Sequence, residues 1–151
     1  MRKILTQLDE IENLKVFSAK SKPSVSDVSV GWHLEHSLLV IKSILEGLQK
    51  SDPQKYHPQN KLSKFLVLIT GYIPRKGGKA PKFTIPENDT YEENITTYLE
   101  LVRNSLSEVN KMPPNSFIQH PYFGHLNRNT SIKFLYIHTN HHLKIVRGIL
   151  K

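Results

Sequence analysis

Apolar positions recur along this chain mostly at helical spacing. Leu5, Leu8, Ile11 and Leu14 line one stripe of a first helix, expected from about Ile4 to Phe17. After a loop containing Pro23, a second helix is expected from about Val28 to Lys50, with Ser24, Ser26 and Asp27 as candidate caps. On a helical wheel its Glu35, Lys42, Glu46 and Gln49 form one polar stripe, and most of the remaining arc is apolar. So broad an apolar arc belongs to a helix largely buried in a bundle. Leu62 to Thr70 reads as a shorter helix ended by Gly71. The stretch that follows, GYIPRKGGKAPKFTIPEND, holds three prolines and three glycines and reads as loop.

A third long helix is expected from about Tyr91 to Lys111. Thr90 with Glu93 reads as its capping box, Glu92 suits the helix dipole, and Pro113 and Pro114 stop it. A fourth is expected from about Thr130 to Leu150, with Phe134, Leu135, Ile145, Val146 and Ile149 among its apolar positions. No segment alternates convincingly with period two. The expected fold is therefore all-α, a single domain over residues 1–151. It is an up-and-down four-helix bundle, with a long loop and a short extra helix between the second and third long helices.

Composition narrows the chemistry. The chain has no cysteine, which excludes disulfides, thiolate metal sites and a thiol nucleophile. Its net charge of +8 suits an anionic partner, but the basic residues are spread along the chain, as on an ordinary solvated surface. No nucleic-acid-binding signature accompanies them, so no specific nucleic-acid binding is expected. The first residues lack the apolar core of a signal peptide, and no run approaches ~20 apolar residues. A cytoplasmic protein with no membrane partner is expected.

The histidines carry the chemical signal. Of eight, five sit in two short clusters, WHLEH (His33, His36) and HTNHH (His138, His141, His142). His138 and His142 are four apart, so on a helix they stand one turn above the other and can share one metal ion. Ile145 and Ile149 continue their stripe, which points the pair inward. Inward imidazoles need partners, and either a metal or a hydrogen-bonded polar patch supplies them. His141 falls toward the helix flank. The second cluster offers a third nitrogen, and its two histidines compete for the position. Wheel geometry slightly favours His33, which lies opposite the polar stripe.

The runs SVGWHLEHSL, HPYFGHL and FLYIHTNHHLKIV resemble the DinB/YfiT-like superfamily, closest to an uncharacterised branch with an HP-aromatic-FG segment before the last helix. The similarity covers most of the chain. It implies a four-helix bundle in which one histidine of the second helix and an H-x3-H pair of the last helix bind a divalent metal, often nickel or zinc. Carried over by position, the ligands fall on His36, His138 and His142, with His33 as the alternative to His36. Some members look like thiol-dependent transferases or isomerases. The function expected here is therefore a divalent-metal-binding protein acting as a hydrolase or thiol-dependent transferase on a small anionic molecule. The alternative is a non-catalytic helical binding module. Related bundles often pair, so a homodimer is the expected assembly.

Two further segments bear on the site. The loop PRKGGKAPK places Arg75, Lys76, Lys79 and Lys82 where they could clamp an anion, though it lacks the Walker spacing of a P-loop. In HPYFGHL, Tyr122 and Phe123 are expected to pack on the bundle end, with Gly124 permitting a tight turn. His120 and His125 could line the pocket mouth, Trp32 serves as a packing anchor, and His57 has no assigned role. No catalytic residue is identified.

Overall fold

The computed structural model describes residues 2–75 and 80–151. The chain is mostly helical: α1 (Arg2–Leu14), α2 (Val30–Lys50), α3 (Leu62–Thr70), α4 (Tyr91–Glu108) and α5 (Arg128–Ile149). Single 3-10 turns extend α1 through Phe17 and α4 through Lys111.

α2 packs on α4 and α5, and α1 packs on the same two helices. The core runs through Ile4, Leu8 and Ile11 of α1, Leu34 to Leu48 of α2, Ile95 to Leu106 of α4 and Leu135 to Ile149 of α5. Each fully buried aliphatic side chain there contributes about 1.5–3 kcal/mol from leaving water. The buried stripe of α1 is Ile4, Gln7, Leu8 and Ile11, and Leu5, assigned to it from spacing, turns partly outward. Charged pairs tie the helices from outside: Arg147 grips Glu10 at 2.6–2.7 Å, and Arg103 reaches Asp9 and Glu12 at 2.8 and 3.0 Å.

Several local expectations are corrected. The cap of α2 is Ser29, whose Oγ accepts from the Trp32 N–H at 3.3 Å; Ser24, Ser26 and Asp27 lie before it. The Thr90–Glu93 capping box does not form, because the Thr90 hydroxyl donates to Asn88 Oδ1 at 2.6 Å. α5 begins at Arg128, with Asn127 Oδ1 accepting from the Thr130 N–H. Glu35, assigned to a polar stripe, is buried against α4, where Asn94 Nδ2 donates to its carboxylate at 3.3 Å. Burial raises its pKa.

The fold also holds a two-stranded antiparallel sheet that period-two patterning missed. β1 (Phe117–His120) pairs with β2 (Gly124–Asn127) in the register Phe117↔Asn127 to His120↔Gly124. Four-residue strands are too short to display alternation, and the turn between them is what makes the hairpin. Gly124 takes φ +68°, a left-handed conformation that side chains disfavour, and any Cβ there would meet Gln59 Oε1. The hairpin wedges Phe123 against Phe134 of α5 and lays Ile118 over Gly47 of α2.

Candidate metal centre

Ser29 starts α2 just before the WHLEH run, and a close approach sets the depth of that turn. Gly31 lies so near Tyr91 that an added Cβ would stand 2.4 Å from Tyr91 Cγ. The first turns of α2 therefore sit tight on α4, while the opposite arc, with His33 and His36, faces α5.

The structure brings His36, His138 and His142 together: one ring nitrogen from each lies within 4.8 Å of the others. Ring centroids are 4.7 Å apart for His36–His142, 5.3 Å for His36–His138 and 4.6 Å for His138–His142. Nitrogens bound at ~2.0–2.1 Å to one tetrahedral ion stand about 3.4 Å apart. Small side-chain rotations close that difference.

His36 Nδ1 is 2.6 Å from the Thr84 carbonyl oxygen. A carbonyl only accepts, so the Nδ1 carries the proton and the neutral ring keeps its lone pair on Nε2. The indole of Trp32 stacks on the same ring at 4.8 Å and 16° and holds its plane. Trp32 thus packs on a ring of the cluster that could hold a metal.

His33 takes a different place from its neighbour. Its Nδ1 lies 2.9 Å from His142 Nδ1, and its Nε2 lies 2.9 Å from Ser26 Oγ. Both ring nitrogens are engaged, so His33 backs His142. His138 Nδ1 is sealed from solvent without a hydrogen-bond partner among the described residues. A buried orphan nitrogen costs ~1–3 kcal/mol, and a ligated cation is a partner that removes the cost. His141 stands edge-on to His142 at 5.1 Å and is half-buried.

Burial is the main cause that lowers the pKa of all five: His33 to about 4, His36 and His141 below the usual imidazole range, His138 and His142 well below it. Repulsion from neighbouring rings adds to the lowering at His33, His36, His138 and His142, and repulsion from Arg75 and Lys144 to that at His141; burial thus keeps the rings neutral, the form that ligates metal. Three neutral nitrogens from two helices, with no cysteine and no ligating carboxylate, fit a borderline divalent cation and leave coordination positions open.

The loop between α3 and α4 reaches this cluster at its two ends. The Ile73 carbonyl faces His141, and the Thr84 carbonyl holds His36. Arg75 lies close enough to depress the pKa of His33 and His141. Lys82 is exposed in a 3-10 turn, and Lys76 and Lys79 of the same basic run lie outside the described residues. The cavity of about 460 Å³ beside Lys3, Arg128 and Tyr136 is lined by none of the histidines.

The remaining histidines sit on or beside the hairpin. His120 Nδ1 accepts from the Tyr122 and Phe123 N–H groups at 3.2 and 3.3 Å, and its ring stacks on Phe123. Phe134 packs between that stack and His138. His125 Nδ1 accepts from the His57 N–H at 3.1 Å and its ring packs on Phe117. Sequence reasoning missed the Thr84 carbonyl and the Ser26 hydroxyl. A backbone carbonyl has no sequence signature, and a serine seven residues before a histidine is too common to flag.

Fold and site together define a mostly helical protein with a triad of histidines, two buried and one half-buried, able to hold a metal ion. The model of the family described as DUF1569, a protein of unknown function, matches residues 3–148, and the chain belongs to that family. No curated protein and no solved structure matches the chain significantly.

Proposed function

We propose that this chain is a DinB/YfiT-like four-helix bundle, in which His36, His138 and His142 ligate one divalent cation, nickel or zinc, to act on a small anionic molecule. The observation that carries the reading is the convergence of three ring nitrogens from α2 and α5 within 4.8 Å. When bound, such a cation supplies Lewis acidity, which polarises a substrate oxygen or acidifies water or a thiol. A hydrolase or thiol-dependent transferase fits that chemistry.

The protein's own contribution is orientation and charge. The Thr84 carbonyl takes the His36 Nδ1–H and aims Nε2 at the centre. With His142 Nδ1–H donating to His33, the His33 Nε2–H passes to Ser26 Oγ, and His142 Nε2 is left free to ligate. Arg75 supplies positive charge beside the rings and is the residue assigned to the substrate's anionic group. A cytoplasmic location is part of this reading and rests on the cysteine-free composition.

The test is metal analysis of protein purified without a histidine tag, followed by titration of stripped protein with nickel and zinc. One ion per chain, lost in His36→Ala and in His138→Ala, is the expected result. Binding that survives both substitutions would refute the site. Screening phosphate esters, carboxylate esters and thiol acceptors with the loaded protein and with Arg75→Ala then separates an enzyme from a binding module.

A further inference from the structure

The cavity of about 460 Å³ lies between the first turn of α1, the 3-10 turn that ends α4 and the first turns of α5. Its volume falls within the range of about 300–1,000 Å³ usual for small-molecule sites. Lys3, Arg128 and Lys133 line it, and among the described residues no acid does. None of these three cations forms a salt bridge with a described residue. The acids of the same elements are taken elsewhere: Glu10 by Arg147, Asp9 and Glu12 by Arg103, and Glu108 by Lys111. Three like charges around one concavity focus a positive potential there, and an anion is the partner that lowers it.

We propose that this cavity binds a small phosphomonoester, with the phosphate at its basic rim and the organic body on its apolar wall. Arg128 is set in advance, because its Nη1 donates to the carbonyl oxygens of Asn110, at 3.2 Å, and of Met112. Its Nε and Nη2 make no hydrogen bond to a described residue, and that edge of a guanidinium grips two oxygens of a phosphate at once. α5 starts at the same place. Asn127 Oδ1 already accepts the Thr130 N–H, which leaves the backbone N–H groups of Arg128 and Asn129 at a helix N-terminus that favours negative charge. Three cations suit the ~1.5–2 negative charges of a phosphomonoester better than the single charge of a carboxylate. The wall comes from Ile4, Ile132 and the ring of Tyr136, with Lys3 Nζ 5.5 Å from the centre of that ring. An aromatic or aliphatic body can rest on such a surface beside its charged group.

The site is separate from the histidines. Tyr136 precedes His138 by two residues, which puts it ~200° around α5, so the cavity opens on the other side of that helix from the triad. The proposal is therefore independent of what the histidines bind. A ligand here touches α1, the end of α4 and α5 together, and stabilises the folded chain by mass action.

The test is titration of the untagged full chain with phenyl phosphate, followed by calorimetry and by amide chemical shifts. Expected is saturable binding with a dissociation constant of about 1 mM or tighter in roughly 0.1 M salt, with shifts at Asn129, Lys133 and Tyr136. Inorganic phosphate should bind at least ~10-fold more weakly, since it leaves the apolar wall uncovered. A Lys3→Glu, Lys133→Glu double variant should lose at least ~10-fold in affinity for phenyl phosphate. Both lysines are exposed, so far-UV circular dichroism and the ligand-free melting midpoint of that variant stay near those of the parent. Phenyl phosphate should raise the midpoint of the parent and not of the variant. Adenosine monophosphate and dihexanoyl phosphatidic acid, titrated in the same way, tell a nucleotide source of the phosphomonoester from a lipid one. Affinity unchanged in the double variant, or no saturation below about 10 mM, overturns the proposal. So does binding that survives the double variant but is lost in Arg75→Ala, which puts the anion beside the histidines. A mixed-sequence RNA that binds more tightly than any phosphomonoester, with shifts spread far beyond the cavity, also overturns it and assigns the cations to a nucleic-acid backbone.

Discussion

Two groups of histidines share this chain and behave differently. On α2 and α5, the rings of His33, His36, His138 and His142 meet one another in the interior, with centroids 4.6–5.3 Å apart between neighbours. On and beside the hairpin, His120 and His125 accept backbone N–H groups and stack on phenylalanines, and His57 lies exposed beside them. The residue type is the same, but its partners are not. Rings that bond to a turn become part of the turn. Rings that face other rings across two helices hold lone pairs in common, and only that arrangement can take up a cation.

The sharpest way to break the contrast is to remove a ligand from one group and a ring from the other. His138→Ala should abolish stoichiometric nickel or zinc binding in calorimetry, while His125→Ala should leave the affinity within about twofold. Next in size is the backing residue. His33→Phe keeps an aromatic ring but leaves His142 Nδ1 without its partner, so metal affinity should fall ~10–100-fold with the triad intact. Substitution Gly124→Ala strains the hairpin at φ +68° and drives Gln59 aside, and should cost about 1–3 kcal/mol in denaturant unfolding without altering metal stoichiometry.

A last effect is on pH. His33 and His120 titrate near pH 4 in the folded chain, because burial disfavours their charged forms, against an ordinary imidazole value of 6.5. The unfolded chain therefore binds more protons between those values. Stability of the metal-free protein should fall as pH drops from 6.5 toward 4, and His138 and His142, lowered further still, extend the fall to more acid pH. Thermal melts across that window check the sign; a midpoint that rises with acid would contradict the burial of these rings.

Much of this was legible in the chain itself. The 3.6-residue recurrence of Leu34, Leu38, Ile41 and Leu45 requires a buried helix in any fold, because spacing alone puts them on one face. Gly71 had to end α3, since its left-handed cap at φ +64° is open to few other residues. The i, i+4 relation of His138 and His142 is likewise local geometry, and their inward aspect followed from Ile145 and Ile149. What spacing could not settle was the choice between His33 and His36. The two lie ~60° apart on one arc, so both face inward, and only the position of α5 and of the Thr84 carbonyl separates the ring that joins His138 and His142 in a cluster able to hold a metal from the ring that bonds to His142.

The sequence alone determined which segments are helical and which residue types could ligate, because each of these is set by neighbours within a turn or two of chain. Tertiary structure decided the rest: the hairpin, the burial of Glu35 against Asn94, the bond from His33 to His142 across 109 residues, and the bareness of α3. Each depends on the approach of segments distant in sequence, and a hydrogen bond or a contact exists only once both of its partners have been placed.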